Sequence, residues 1–149
     1  MSLHFEFQVL VLILNARSYD REHLMQRKAT KQSRGPNTYE RKFIEAVKEL
    51  PCICCGREGP SIVDHIYGSS KKLYNDLERV HVGHMAILPL CVGCDSVKTQ
   101  GSRREFEQQF GKQEELWLKM LDIHGLIDRV PENVRLAVAG EARLVDCWC

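Results

Sequence analysis

The amino-acid sequence predicts a small α+β fold built around a cluster of cysteines. Two CxxC pairs, Cys52/Cys55 and Cys91/Cys94, bracket two short apolar stretches typical of strands, and segments with helical periodicity flank them. The chain has 149 residues, 44% of them hydrophobic and 28% charged, which is about one domain of an ordinary globular protein. We expect an N-terminal strand, basic arm and helix over residues 1–50, a metal-bound core over 51–113, and a C-terminal helix and tail over 114–149.

The N-terminal residues 3–14, "LHFEFQVLVLIL", are apolar but do not have the pattern of a membrane segment. These 12 residues are too few to span a bilayer, which takes about 20, and no basic region or small-residue cleavage site flanks them. Phe5, Phe7 and Val9 alternate with polar residues, which favours a half-buried strand. The sequence therefore predicts a cytoplasmic protein without a membrane partner.

A helix is predicted over residues 36–50, "PNTYERKFIEAVKEL". Its apolar residues recur at helical spacing on one face: Tyr39, Phe43, Val47 and Leu50. Pro51 ends the helix immediately before the first cysteine pair.

Two strands and two further helices are predicted beyond that proline. "SIVDHI" and "MAILPL" read as short strands, and the second leads directly into the second cysteine pair. Ser102 and Glu105 have the spacing of a capping box, with Phe106 and Phe110 on one face of the helix that follows. A later helix that ends near Gly125 carries Leu116, Trp117, Met120 and Leu121. Residues 131–149 are compatible with either a hairpin or a helix.

The cysteine spacing is the strongest functional signal. Each CxxC turn directs two sulfurs toward one ion, and two turns supply the four thiolates of a tetrahedral structural zinc site. The chain has seven cysteines, and we expect no secretion signal. In a reducing compartment, clustered cysteines usually bind metal rather than form disulfides. The predicted Zn²⁺ ligands are Cys52, Cys55, Cys91 and Cys94. Cys54 is a competing ligand within the first pair, and Cys147 and Cys149 are expected to be free thiols.

Any chemistry must come from residues between the two pairs, because a four-cysteine zinc site has no open position. Asp64 and His65 end the first predicted strand, and they can offer a carboxylate to a metal and an imidazole to a water. His84 precedes Cys91 by seven residues, and His81 precedes His84 by three. A lone histidine is usually a hydrogen-bonded surface residue, but two histidines and an aspartate in one zinc-pinned loop indicate a functional cluster.

The region 50–118 resembles the HNH, or His-Me finger, nucleases, and within them it is similar to the phage Ref-type recombination-associated nucleases. The resemblance is carried by the two cysteine pairs, the Asp64-His65 step, the spacing from His84 to "LPLC", and the segment "FEQQFGKQEELW". It implies a zinc-braced ββα-metal core of treble-clef type, in which two strands precede a helix that supplies a metal ligand. It also implies a phage-encoded or bacterial protein whose partners are DNA and a recombinase filament.

The same resemblance assigns roles to the site residues. It makes His65 the general base that takes a proton from the water attacking a DNA phosphodiester, while His84 orients the phosphate or completes the metal shell. It makes Asp64 and Asp95 the ligands of a catalytic cation, and such oxygen ligands suit Mg²⁺ or Mn²⁺ better than a second zinc. The function implied is that of a metal-dependent DNA endonuclease.

The chain departs from the family pattern after the second cysteine pair. Family members usually carry a further histidine on the helix there, whereas this sequence reads "DSVKTQG", with Gln100 as a candidate for the vacated position. Either Asp95 acts as the ligand instead, or the site has decayed. The alternative function is therefore a zinc-stabilised nucleic-acid or protein-binding module with an inactive HNH site.

Basic residues are concentrated toward the front of the chain. Residues 1–50 carry 9 Lys and Arg against 6 Asp and Glu, whereas residues 114–149 carry 4 against 7. This distribution suits a polyanion at the front, bound through non-specific phosphate contacts. The candidate contacts are Lys71, Lys72, Arg103 and Arg104 in the core, and Arg27, Lys28, Lys31 and Arg34 in the arm. For the arm, a solvated surface is an equal alternative.

Overall fold

The structure, a computed structural model, describes residues 34–146, with side chains described as far as Arg143. These residues belong to one compact unit, Ser33–Cys149. The predictions for the N-terminal strand, for most of the basic arm and for Cys147 and Cys149 lie outside the described residues. Within the described range the fold is a mixed α+β fold with small antiparallel sheets, as the sequence predicts.

The elements follow one another in a simple order. They are α1 (Thr38–Lys48), β1 (Ile62–His65), β2 (Lys72–Asn75), β3 (Glu78–His81), β4 (Ile87–Leu90), α2 (Val92–Gln100), α3 (Arg103–Phe110), α4 (Gln113–Ile123), a 3-10 turn (Ile127–Arg129) and α5 (Glu132–Asp146). None of the helices among residues 34–146 combines the length and the apolar character needed to cross a membrane.

Helix α1 begins at a complete capping box. The backbone N–H of Glu40 donates to the side chain of Asn37, and the backbone N–H of Asn37 donates to the Glu40 carboxylate, both at 2.8 Å. Phe43 and Val47 are buried, which confirms the centre of the predicted apolar face. Tyr39 lies at its edge, 52% exposed, and its hydroxyl donates to the carbonyl of Arg129.

Strands β1 and β4 form the first antiparallel sheet and confirm the two strands predicted from sequence. Asp64 lies opposite Leu88 and His65 opposite Ile87. All four residues of β4 are buried, and β4 contacts both α1 and α4. A strand buried on both faces reads as a continuous apolar run, which is how "MAILPL" differs from the more polar "SIVDHI".

The chain between β1 and β4 folds into a second antiparallel pair that the sequence analysis missed. In this β2–β3 hairpin, Leu73 lies opposite Val80 and Tyr74 opposite Arg79. Leu73 and Val80 are buried, and both strands contact α5. The hairpin has only two buried apolar residues, one on each strand. Because most of their neighbours are polar or charged, neither strand shows a recognisable alternation of apolar and polar residues.

The helices after β4 match the predicted pattern closely. The Ser102 hydroxyl accepts the backbone N–H of Glu105, which is the first half of the predicted capping box. The four apolar residues predicted for α4 are all buried: Leu116, Trp117, Met120 and Leu121. The helix ends before Gly125, whose φ of 63° is in the left-handed region that favours glycine. Residues 132–146 are helical, which resolves the ambiguity at the C-terminus.

Trp117 anchors α4 to the segment that leads into β4. Its side chain is fully buried, and its indole N–H donates to the carbonyl of Met85 at 2.9 Å. Satisfying the indole N–H removes the cost of burying it. The contact fixes α4 beside the ends of β1 and β4, where the candidate site lies.

Candidate metal centre and histidine–carboxylate cluster

The four cysteines predicted as zinc ligands meet at one point. The Sγ atoms of Cys52, Cys55, Cys91 and Cys94 all lie within 4.8 Å of one another, and those of Cys55 and Cys91 are 3.6 Å apart. Four sulfurs at about 2.3 Å from a tetrahedral zinc would be separated by about 3.8 Å. This quartet can hold one metal ion, and within residues 34–146 it is the one group of three or more Cys, His, Asp and Glu side chains with such geometry.

Backbone hydrogen bonds fold the first cysteine pair against β4. The N–H of Gly56 donates to the carbonyl of Cys52, closing a turn in which Gly56 has a φ of 73°. The N–H of Ile53 donates to the carbonyl of Pro89 in β4. Since Cys91 directly follows β4, this contact brings the two pairs together although 35 residues separate them in sequence.

The thiols of this region differ in their electrostatic environments. Hydrogen bonding from the Cys94 backbone lowers the pKa of Cys91 to about 6. Burial raises the pKa of Cys52, but hydrogen bonds from neighbouring backbone groups outweigh it, so that this pKa is lowered overall. Burial and the adjacent Cys52 raise the pKa of Cys54 to about 12. Burial raises the pKa of Cys94 as well, so pKa does not separate Cys54 from the quartet. Cys54 is set apart by position, because its sulfur is not one of the four that converge.

Asp64 forms an ion pair with Lys98 of α2. The Lys98 ammonium donates to Asp64 Oδ2 at 2.5 Å, to Gln113 Oε1 at 3.0 Å and to the backbone carbonyl of His65 at 3.2 Å. An ammonium has three N–H donors, so each of them has a partner. Lys98 thereby joins β1, α2 and α4 at a single buried point, a contact that the sequence analysis did not anticipate.

Asp95 lies one turn before Lys98 on α2 and faces the same region. Burial raises the pKa of Asp95 first, the charge of Asp64 raises it further, and Lys98 partly offsets both effects. The two carboxylates predicted to share a cation are thus close enough to repel each other. Gln100, in contrast, is exposed, and two residues beyond Lys98 it points about 200° away around the helix. The hypothesis that Gln100 occupies a lost ligand position therefore has no support from its location.

His65 and His84 are linked by a hydrogen bond, and their protonation follows from a third group. His84 is buried, and its Nε2 lies 2.9 Å from the backbone carbonyl of Arg34. A carbonyl oxygen only accepts, so Nε2 of a neutral His84 carries the proton and its Nδ1 is the acceptor. His65 Nε2 lies 3.4 Å from that Nδ1 and must donate to it. The nitrogen of His65 that remains able to accept a proton is Nδ1.

The surroundings of His65 favour its neutral form. Burial lowers the pKa of His65 first, His84 and Lys98 lower it further, and Asp64 raises it in part. The imidazole is therefore neutral at neutral pH, as a general base must be. His81 is the third histidine of the group, with its ring centroid 6.0 Å from that of His84. Its Nδ1 lies 3.9 Å from the buried carboxylate of Glu40.

A second buried polar group, also missed from sequence, lies behind the site. The Glu114 carboxylate is buried and accepts from the Tyr67 hydroxyl at 2.7 Å and from the Arg103 guanidinium at 2.6 Å. Arg103 also pairs with Glu107 and lies over the Tyr67 ring, 5.7 Å from its centroid. The spacing of four residues between Arg103 and Glu107 was the one signal in the sequence.

The predicted phosphate contacts differ in how free they are to bind DNA. Lys71, Lys72 and Arg104 are exposed. Arg103 is engaged by two carboxylates, so its charge is largely neutralised within the fold. Arg34 pairs with Glu40 at 2.8 Å.

The fold and site define an α+β protein with a four-cysteine cluster that could hold a metal ion, beside a cluster of histidines and carboxylates. The chain belongs to the family described as "Protein of unknown function (DUF968)", whose model matches residues 17–126. That range contains the cysteine quartet together with Asp64, His65, His84 and Asp95. A comparison with curated proteins gave no match.

Proposed function

We propose that the protein is a metal-dependent endonuclease that hydrolyses DNA phosphodiester bonds, with His65 as general base. The observation that carries the proposal is the strand–strand–helix unit of β1, β4 and α2. The cysteine quartet lies at the junction of β4 and α2, and Asp64 on β1 and Asp95 on α2 are close enough for their charges to interact. His65 follows Asp64 directly and is held neutral with Nδ1 as its accepting nitrogen.

Each residue of the cluster then has a chemical role. His65 accepts a proton from water at Nδ1, and His84 holds the ring through its hydrogen bond to Nε2. Asp64 and Asp95 would hold Mg²⁺ or Mn²⁺, and such an ion neutralises charge on the phosphate and the leaving oxygen. The cysteine quartet would hold zinc, which is closed to substrate and acts only through the fold.

DNA binding in this proposal depends mainly on exposed lysines. Lys71 and Lys72 lie at the start of the β2–β3 hairpin, and Arg104 lies on α3. Contacts of this kind neutralise phosphates without reading sequence, and their strength falls with salt. A recombinase filament as a second partner and a phage origin rest on the resemblance alone, and a location in the cytoplasm rests on the N-terminal pattern and the clustered cysteines.

One observation favours the alternative of a zinc-stabilised binding module without catalysis. The Lys98 ammonium already neutralises Asp64, and all three of its donors are used. A divalent ion must therefore displace Lys98 or bind through the remaining oxygens of Asp64 and Asp95. Binding of a second, non-zinc metal separates the two functions.

Nicking of supercoiled plasmid with Mg²⁺ or Mn²⁺ tests the proposal. The zinc-loaded wild type should nick, and His65→Ala should be slower by about 100-fold or more because a general base acts on the chemical step. DNA affinity and melting temperature should change little in that variant. His124→Ala, which alters a partly exposed histidine at the end of α4, is the matched control and should nick normally.

Two outcomes contradict the proposal in different ways. A wild type that neither nicks nor binds Mn²⁺ identifies the protein as the binding module. Nicking by His65→Ala at the wild-type rate means that the base is a different group.

A further inference from the structure

The β2–β3 hairpin presents two faces of opposite character. Its buried face consists of Leu73 and Val80, which lie opposite each other. Side chains alternate along a strand, so the neighbouring cross-strand pairs, Lys72 with His81 and Tyr74 with Arg79, lie on the other face. Lys72, Tyr74 and Arg79 are exposed there.

The outer face combines cations with an exposed aromatic ring. Tyr74 is 66% exposed and lies directly opposite Arg79. Neither of the two cross-strand pairs on this face contains a carboxylate. Leu77 extends the apolar surface at the tip of the hairpin, where it is 99% exposed in the turn after Asp76. A single exposed apolar residue is ordinary, but an exposed aromatic ring beside cations is a recurring platform for nucleic-acid bases.

We propose that this outer face binds single-stranded or unpaired DNA, with a base stacked on Tyr74 and its phosphates on Lys72 and Arg79. The inference rests on the proposed function for DNA as the class of ligand, and it adds the form of that DNA. Stacking requires an exposed base face, which an intact duplex does not offer except at ends, gaps and branches. The positive charge complements the backbone of the same strand.

The base of the hairpin is fixed against the histidine cluster. The N–H groups of Val82 and Gly83 both donate to the carbonyl of Lys71. A Cβ at position 83 would lie 2.0 Å from the carbonyl oxygen of Ser69, so only glycine allows this close approach. β3 ends at His81, whose ring centroid is 6.0 Å from that of His84.

This placement leads a bound strand toward the candidate base. Tyr74 pairs with Arg79, which is two residues, or about 7 Å, from His81 along β3. From His81 the row of rings continues through His84 to His65, with 5.5 Å between the last two centroids. A strand stacked on Tyr74 that follows this row of rings therefore runs toward the site where hydrolysis is proposed.

The tip of the hairpin carries negative charge, unlike the outer face of its strands. Asp76 and Glu78 are exposed beside Leu77. Phosphates should therefore follow the strands rather than the turn, and Leu77 should contact bases rather than backbone. Glu78→Gln is accordingly not expected to weaken binding.

Fluorescence anisotropy with labelled DNA tests the inference on the full-length, zinc-loaded protein. The buffer contains no Mg²⁺ or Mn²⁺, so cleavage does not contribute. The probes are a single-stranded oligonucleotide that contains 2-aminopurine and a blunt duplex of the same length. The wild type should prefer the single strand and quench 2-aminopurine on binding, because a stacked base loses fluorescence.

Variants of Tyr74 separate stacking from folding. Tyr74→Ser should weaken single-strand binding roughly tenfold and abolish the quenching, while Tyr74→Phe should retain both. Duplex binding should be the same in all three proteins. Leu77→Ser is a second variant at an exposed position, where the fold does not depend on the side chain, and it should reduce single-strand affinity alone.

Equal affinity of the wild type for the two probes, or unchanged single-strand binding by Tyr74→Ser, would overturn the inference. Binding to neither DNA overturns it as well and points to a different partner for the hairpin. If the protein does not nick plasmid but prefers single-stranded DNA in the anisotropy assay, the proposed catalytic activity is wrong and the single-strand site is supported.

Discussion

The Nζ atom of Lys98 lies 2.5 Å from Oδ2 of Asp64, and both side chains are more than four-fifths buried. A lysine on α2 thus holds the carboxylate on β1 that was predicted to bind a catalytic cation. Its positive charge competes with any added metal for that carboxylate. Binding of a cation at Asp64 therefore depends on whether this ion pair is kept or broken.

Replacing Lys98 tests that competition. Lys98→Met should lower the free energy of unfolding by about 3 kcal/mol, because it leaves the Asp64 charge buried without its partner. Mn²⁺ should then raise the melting temperature of the variant more than that of the wild type, since the ion can take the place of the ammonium. Thermal melts with and without Mn²⁺ measure both effects.

The double variant Asp64→Asn/Lys98→Met is the control, because it removes both charges. It should be more stable than Lys98→Met and should lose the response to Mn²⁺. Equal responses of all three proteins to Mn²⁺ would show that no ion binds at Asp64.

The cysteine quartet predicts one tightly held zinc per chain. Cys52→Ser should lose it and unfold much of the core, because structural zinc contributes on the order of 10 kcal/mol in small zinc domains. Cys54→Ser is the matched control from the same turn, since Cys54 is outside the quartet, and it should retain full zinc content. Elemental analysis and circular dichroism melts distinguish the two. Full zinc in Cys52→Ser would place the metal elsewhere.

The hydrogen bonds of His84 predict the tautomers of two histidines. Both His65 and His84 should carry their proton on Nε2 at neutral pH, with Nδ1 of His65 unprotonated. Long-range ¹H–¹⁵N correlation spectra of the imidazole rings identify the tautomers directly. His84→Phe removes the acceptor for His65 while keeping an aromatic ring, so His65 should become a mixture of tautomers. A pure Nδ1–H form of His65 in the wild type would refute the hydrogen-bond chain.

Glu114 predicts a defined dependence of stability on pH. Burial raises the pKa of Glu114, but hydrogen bonds from Tyr67 and Arg103 outweigh it, so that the pKa is lowered below its usual 4.5. A lowered carboxyl pKa contributes stability above pH 4.5, and this contribution is lost as pH falls through the folded-state pKa. Glu114→Gln should therefore cost about 2 kcal/mol at pH 7.

The difference between wild type and Glu114→Gln should stay constant from pH 7 to about 5 and shrink below 4.5, where Glu114 of the unfolded chain begins to take up a proton. Urea unfolding of the two proteins, paired at each pH, measures it, and acid effects on the cysteine site cancel in the comparison. Glu115→Gln alters the neighbouring exposed carboxylate and should show no such trend. If the difference in unfolding free energy is the same at pH 4 as at pH 7, the charge of Glu114 does not contribute to stability.

Local patterns were sufficient wherever neighbours in sequence decide the conformation. The capping box of Asn37 and Glu40 fixes the start of α1, and the apolar run of β4 identifies a strand buried on both faces. The two cysteine pairs are also local signals, because each CxxC turn orients its own sulfurs and both pairs suit one tetrahedral ion. The α+β class, the main helices, β1 and β4, and the members of the cysteine quartet were accordingly predictable.

Contacts between distant residues decided the rest. The partners of Lys98 are 33, 34 and 15 residues away, and Glu114 meets Tyr67 across 47 residues, so no periodicity reveals them. The β2–β3 hairpin depends on α5 to cover its two buried residues, and the sequence alone left the fold of that C-terminal segment open. The protonation of His65 depends on the backbone carbonyl of Arg34, acting through His84. The sequence thus determined which titratable and metal-binding side chains are present, while the tertiary structure decided which of them are paired, neutral or exposed, because charge and tautomer are set by neighbours in space.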